Sequence, residues 1–369
     1  MDELSQAGFS ASISCFVDWP IDMIEFVESC PVCSGKESRV LYTGLRDLTL
    51  FCAPGIWVLR ECTACKSAYL GPRPTPASMH LAYQNYHTHS ESVRLPAESL
   101  RGVRWLQRVL ANGYKNWQFG TNLQPSSWAG IPVAFLLPTL RAVLNRQYRH
   151  LPTLPEGGRL LDVGFGDGSF LANVQAIGWD AVGLDFDADV VKNARQRGLK
   201  VHEGSVEEFT GEDDSFDVIT MCHVIEHLYD PVASLKACHR LLKPGGLIWI
   251  ETPNISSLGR IRFKQYWRGL EPPRHLVLFN KESLASALHG AGFEAVKDLP
   301  QPSPCYGVYA MSQRMSEGLD PYSDAPIKLK LRLEILLTRL IEVFWRSRRE
   351  FLGVTATKAL GGSSRKAVR

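Results

Sequence analysis

The sequence predicts an α/β fold: a doubly wound, mostly parallel sheet preceded by a small N-terminal ribbon and a helical connector. Three observations predict it. Leu160-Leu161-Asp162-Val163-Gly164-Phe165-Gly166-Asp167-Gly168-Ser169 runs from a buried strand pattern through a glycine turn into a helical pattern, the layout of a nucleotide site in an open sheet. Short apolar runs then alternate with helical segments as far as residue 300, which argues parallel strands with crossover helices. Upstream, Cys30-Pro31-Val32-Cys33 and Cys62-Thr63-Ala64-Cys65 form two knuckles, the composition of a metal ribbon.

Taken in order, residues 25–75 read as the ribbon. Strand-like runs at 39–43 and 55–61 supply a hairpin between the knuckles. Cys30, Cys33, Cys62 and Cys65 can close on one tetrahedral Zn2+, and four thiolates leave no open position, so the ion is a scaffold. Four ordinary buried thiols are the competing reading. Residues 76–156 form the connector. Leu100, Val103, Leu106, Leu110, Leu140, Val143 and Leu144 recur at helical spacing. Tyr83, Tyr86 and His87 are candidates for a substrate mouth, against helices that merely cover a sheet edge.

The core covers 157–300, with an insertion at 301–349, a last core strand at 350–360 and a basic tail at 361–369. After a helix over 169–177, strand 181–185 ends in Asp185. An acid about twenty residues past the glycine loop is placed to accept from ribose hydroxyls. A short strand at 200–202 leads to Ser205 and Val206, where such folds hold an adenine edge. Strand 216–221 precedes Cys222-His223-Val224-Ile225-Glu226-His227. Lys243-Pro244-Gly245-Gly246 turns into strand 247–251, and the final strand falls near 351–358.

The loop chemistry separates two ligands. A dinucleotide fingerprint is G-x-G-x-x-G and seats a pyrophosphate. Here Gly164, Gly166 and Gly168 are spaced G-x-G-x-G, and Asp167 lies where phosphates would be repelled. S-adenosylmethionine, with its sulfonium and ammonium, suits this loop. Asp162 and Gly164 would shape its methionine end, Asp162 meeting the ammonium through backbone order or a water while also capping the loop.

With L-D-V-G-F-G-D-G-S, L-K-P-G-G, H-V-I-E-H-L-Y-D-P and E-P-P-R-H-L-V-L-F in this order, the chain resembles class I S-adenosylmethionine-dependent methyltransferases. Within them it is similar to the bacterial group of polysaccharide and natural-product loci and to the ubiquinone-pathway O-methyltransferases. The resemblance covers roughly 157–299. It implies S-adenosylmethionine as methyl donor, a small-molecule or lipid-linked acceptor bearing a saccharide or phenolic, quinone-like hydroxyl, and an N-terminal zinc module. Phe165 departs from the small residue or cysteine common there, a change expected in packing rather than binding.

His223, Glu226 and His227 stand at i, i+3 and i+4, so one helical turn would present them on one face. The similar E-x-x-E-H run of some relatives holds a divalent metal. His223 replaces its first acid, which argues against magnesium, an oxygen-seeking ion. The alternative packs His223 against the cofactor while Glu226 and His227 hold loops. His275, in Pro272-Pro273-Arg274-His275, is the other candidate base, since imidazole accepts a hydroxyl proton near neutrality. A structural hydrogen bond is its plainer role.

Composition bounds the partners. A net charge of +3 over 369 residues is too small for phosphate-dominated nucleic-acid binding. Met1-Asp2-Glu3 lacks a basic signal-peptide start, and nine cysteines do not pair into a secreted disulfide framework. A cytoplasmic enzyme is expected. Residues 327–349 mix Leu and Ile with Lys and Arg. Such a basic amphipathic helix can lie on the inner membrane face, or pack on its own domain or on a second copy in a homodimer. Two other functions stay open: an inactive S-adenosylmethionine-binding partner subunit, and a nicotinamide dehydrogenase.

Overall fold

The computed structural model describes residues 19–83, 102–153, 157–300 and 304–360. The N-terminal region holds β1 (Ile24–Glu25), β2 (Ser38–Leu45), β3 (Trp57–Cys62), β4 (Ala68–Leu70) and β5 (Arg73–Pro74). The connector follows as α1 (Val103–Phe119), α2 (Gly130–Leu136) and α3 (Pro138–Gln147). Proline opens α3 at a position where its missing N–H costs nothing.

The core runs β6 (Arg159–Val163), α4 (Ser169–Gln175), β7 (Asp180–Asp185), α5 (Ala188–Gln196), β8 (Val201–Glu203), β9 (Phe216–Cys222), α6 (Pro231–Leu241), β10 (Leu242–Pro253), α7 (Leu258–Phe263), β11 (Val277–Leu278), α8 (Lys281–Gly290) and β12 (Phe293–Asp298). The insertion supplies α9 (Cys305–Ser316) and α10 (Leu329–Phe344), and β13 (Phe351–Lys358) closes the fold. Among the described residues the main sheet has the order β12-β13-β10-β9-β6-β7-β8. Only β13 runs against its neighbours; pairs from β10 through β8 are parallel.

Both faces of this sheet are covered, and the strand period of two decides which residue goes where. Leu160 and Val218 point into one cluster with Leu171 and Val190. Their neighbours Leu161 and Ile219 enter the other with Leu235 and Ile250. Asp187 caps α5 by accepting from Asp189 N and Val190 N, and Asp230 caps α6 from Ala233 N, as acids do at helix starts.

The ribbon, expected over residues 25–75, draws on the core for its sheet. Its sheet has the order β11-β4-β3-β2, so a strand of the core completes it, Val277 opposite Tyr69 and Leu278 opposite Ala68. Trp57, Leu59 and Leu70 of the ribbon share one buried cluster with Leu276 and Phe279. A two-residue strand some two hundred residues downstream leaves no periodicity to read.

Candidate active site

The glycine loop leaves the carboxyl end of β6, between β9 and β7, where the sheet changes direction of winding and ligands collect. A Cβ on Gly164 would meet Val224 Cγ2 at 2.3 Å, so the loop is packed behind. Gly166 has φ +57 and nothing within 4 Å of its would-be Cβ: it needs glycine for its backbone and leaves open space for a ligand. Gly168 N donates to Phe165 O at 3.2 Å. Phe165 is buried against Gly183, a packing role as expected.

Asp167 accepts from Ser169 N at 2.9 Å and Ser169 Oγ at 2.8 Å. A carboxylate of the chain itself thus sits at the start of α4, where a pyrophosphate would lie. Asp185 at the end of β7 accepts from Gly166 N (3.3 Å) and Asp187 N (3.1 Å). Each oxygen keeps acceptor capacity, and burial pushes its pKa above the ordinary value. Phe186 beside it is 67% exposed.

Asp162 does not cap the loop. It is fully buried, its Oδ1 accepting from Thr220 Oγ1 at 2.9 Å and from Arg149 Nη1. Its Oδ2 has no hydrogen-bond partner, although buried acceptors almost always have one. Burial raises the acid against the opposing pull of Arg149. Ser205 Oγ accepts from Glu208 N at 3.3 Å and keeps its own proton to donate, whereas the Val206 side chain lies in the core.

His223, Glu226 and His227 do not share one face. His223 has φ +56, rare for a non-glycine residue and frequent where function holds strain, and only residues 225–227 form a 3-10 turn. His223 Nδ1 lies 3.2 Å from Glu226 Oε1 and Nε2 3.3 Å from Glu251 Oε1. Carboxylates only accept, so both nitrogens donate and the ring is an imidazolium. Burial alone would lower its pKa; the two acids outweigh that and hold it well above the usual histidine range. Arg146 of α3 completes the set by pairing with Glu251, whose pKa is held at about 2 although burial alone would raise it.

His227 turns the other way, Nδ1 3.0 Å from Arg274 O and 3.3 Å from Tyr83 Oη. Its ring meets His275 edge-on at 4.8 Å. His275 Nδ1 donates to Gly269 O at 2.8 Å. Burial pushes this histidine down to about 4, with Glu271 pulling in the opposite direction, so the ring is neutral and Nε2 carries a lone pair. Potential ligand atoms of Glu226, His227 and His275 lie within 4.8 Å of one another, as do those of Cys222, His223 and Glu251 and those of the four ribbon cysteines. Tyr86 and His87 fall outside the described residues.

Residues 138–298 match the model of a methyltransferase-domain family. That segment is a methyltransferase domain. A ubiquinone biosynthesis O-methyltransferase of Xanthomonas oryzae is 38% identical to the chain over 105 residues, 27% of this chain and 44% of that protein. A probable S-adenosylmethionine-dependent methyltransferase of Mycolicibacterium smegmatis is 32% identical over 149 residues, 40% of this chain and 56% of its own length. The chain thus spans about half the length of the curated relatives it matches. A solved methyltransferase from Archaeoglobus fulgidus, 21% identical, aligns with 59% of this chain and 93% of its own at a TM-score of 0.41. The matched segment of the methyltransferase domain begins inside the connector, at α3.

That start agrees with the two residues sequence reasoning missed most plainly. Arg146 and Arg149 descend from the end of α3 onto Glu251 and Asp162. Their i, i+3 spacing just ahead of the core was the available signal.

In the ribbon, Sγ atoms of Cys30 and Cys65, and of Cys33 and Cys62, are 3.6 Å apart. Zinc–sulfur bonds of about 2.3 Å in a tetrahedron require edges only slightly longer, so the donor set fits that ion.

Proposed function

We propose that this chain methylates a hydroxyl oxygen of a small-molecule or lipid-linked acceptor, using S-adenosylmethionine. The observation that carries the reading is the site at the carboxyl ends of β6 and β7: a glycine loop open at Gly166, Asp185 with spare acceptors, and the unpartnered Asp162 Oδ2. An ammonium is the donor such an oxygen lacks. The Asp167 carboxylate at the start of α4 disfavours nicotinamide dinucleotides.

S-adenosylmethionine, when bound, supplies a methyl carbon activated by the sulfonium. Asp185 would hold the ribose hydroxyls, Asp162 the ammonium, and Gly166 would allow the backbone to approach closely. The imidazolium of His223, fixed between Glu226 and Glu251, keeps positive charge beside the loop and is no base. His275 takes the hydroxyl proton at Nε2; the resulting imidazolium would face Glu271, 3.8 Å away. Relatives named for ubiquinone biosynthesis favour an oxygen nucleophile, phenolic before saccharide. The four ribbon thiolates hold a structural zinc.

Calorimetric titration tests the cofactor site. Asp185→Ala should weaken S-adenosylmethionine binding by about 10- to 100-fold, the scale for losing hydrogen bonds to a charged acceptor; unchanged affinity refutes the assignment. Label transfer from methyl-tritiated donor to a panel of phenols and sugars tests the reaction, and binding without turnover across the panel would favour a non-catalytic subunit.

A further inference from the structure

The helix α10 is apolar on two sides, and the domain uses only one. Leu331, Ile335 and Thr338 are buried, and Thr338 Oγ1 lies 3.1 Å from Tyr309 Oη of α9. On the opposite side Leu329, Leu333, Leu336, Leu337, Leu340 and Phe344 form a stripe in which each is more than half exposed, Phe344 at 90%. Six large apolar side chains on one face of one helix are not the scattered exposure normal for a soluble surface.

The charges around the stripe indicate what covers it. Helical geometry puts Lys330 along one edge and Arg332 and Arg339 along the other, with exposed Trp345 and Arg346 just past its end. Neither acid of α10 opposes them. Glu334 is held by Arg262 at 3.0 Å, and Glu342 is buried, accepting from Cys305 Sγ at 3.2 Å. Long cations flanking a leucine stripe can lay their methylene stems along hydrocarbon and keep their charge among headgroups.

We propose that the exposed face of α10 docks on an anionic phospholipid surface, the leucines entering the acyl boundary and Lys330, Arg332, Arg339 and Arg346 meeting lipid phosphates. The packing of the buried face on α9 fixes the helix in the plane of that surface. This inference is independent of the methyl-transfer reading.

Flotation of the full chain with two kinds of vesicle tests it: phosphatidylcholine alone, and phosphatidylcholine mixed with phosphatidylglycerol. Binding should require the anionic lipid and weaken as salt rises. Arg332→Gln and Arg339→Gln should each lower partitioning about fivefold. Leu337→Ser and Leu340→Ser should each lower it on the order of tenfold, with circular dichroism and melting unchanged because both positions face solvent. Absence of binding, or binding indifferent to the leucine variants, overturns the proposal. So does a dimer that the same leucine variants dissociate while wild type ignores vesicles, since a second copy would then cover the stripe.

Discussion

The guanidinium of Arg274 meets the carboxylate of Asp47 through two parallel bonds, Nη2 to Oδ1 at 2.6 Å and Nη1 to Oδ2 at 3.1 Å, with neither side chain exposed. Asp47 sits in the ribbon loop and also accepts backbone N–H groups from Leu50, Cys52 and Ala53. Arg274 belongs to the loop carrying His275, and its Nε donates to Glu271. The ribbon therefore holds the segment that positions the candidate base. Burial alone would raise the pKa of Asp47; Arg274 outweighs it and keeps it below the ordinary value.

Removing one partner leaves the other charged and buried. Asp47→Asn or Arg274→Gln should each cost about 3–5 kcal/mol of unfolding free energy, the usual loss for breaking a buried pair. The double variant should lose clearly less than the sum. Urea titration reads all three; strict additivity would show that the pair is not coupled. Because the folded pKa of Asp47 is depressed, its contribution is present above the unfolded value near 4 and is lost as pH falls through the folded one.

The sheet and the cofactor loop were legible because their signals are local. One apolar run of strand length enclosed Asp162 and a second ended in Asp185, and the glycine spacing with Asp167 separated two ligand classes before any contact was known. The strand expected at 351–358 is β13. What escaped depends on tertiary pairing. Nothing near Val277 says that it completes the ribbon sheet, and nothing near Asp47 names Arg274 as its partner. The i, i+3, i+4 pattern of His223, Glu226 and His227 misled because the positive φ of His223 breaks the helical turn on which the pattern rests.

The histidines differ in protonation, and this can be read without an acceptor. Nitrogen-15 spectra of the imidazoles should show His223 doubly protonated at pH 7. His275 should be neutral, with the proton on Nδ1, down to roughly pH 5, since burial holds it near 4. A neutral His223 at pH 7, or a His275 that titrates near 6.5, would remove the basis for giving them opposite roles.

Chelation of the zinc proposed for the four ribbon cysteines should be felt inside the methyltransferase domain. Leu70 N donates to Leu276 O at 3.0 Å and Asn280 Nδ2 to Cys65 O at 3.0 Å, so the ribbon and the residues flanking β11 share hydrogen bonds. Zinc binding and folding are one equilibrium in such sites. Hydrogen exchange after chelator treatment, or in Cys62→Ser, should accelerate at residues 276–278 as well as in β2–β4. Loss of protection confined to residues 30–70 would mean the ribbon unfolds alone.

Glu350 gives a stability term of opposite sign to Asp47. It is fully buried, accepting from Trp267 Nε1 and Gly259 N, each at 2.8 Å. Burial nonetheless raises its pKa to about 7, with nearby Glu342 adding to the effect. The folded state then binds the proton more tightly than the unfolded chain, whose glutamate titrates near 4.3. Stability from this group is full below the unfolded pKa and is lost as pH rises through the folded one. At about 1.4 kcal/mol per tenfold change in proton affinity, the loss between pH 4.5 and 7.5 is on the order of 3 kcal/mol. Glu350→Gln cannot ionise, but its single amide oxygen can accept from only one of Trp267 Nε1 and Gly259 N, which adds a loss that does not vary with pH. The variant's unfolding free energy should therefore lack this fall, whatever its absolute level. Parallel pH dependences for the two proteins would show that Glu350 is ionised in the folded state throughout.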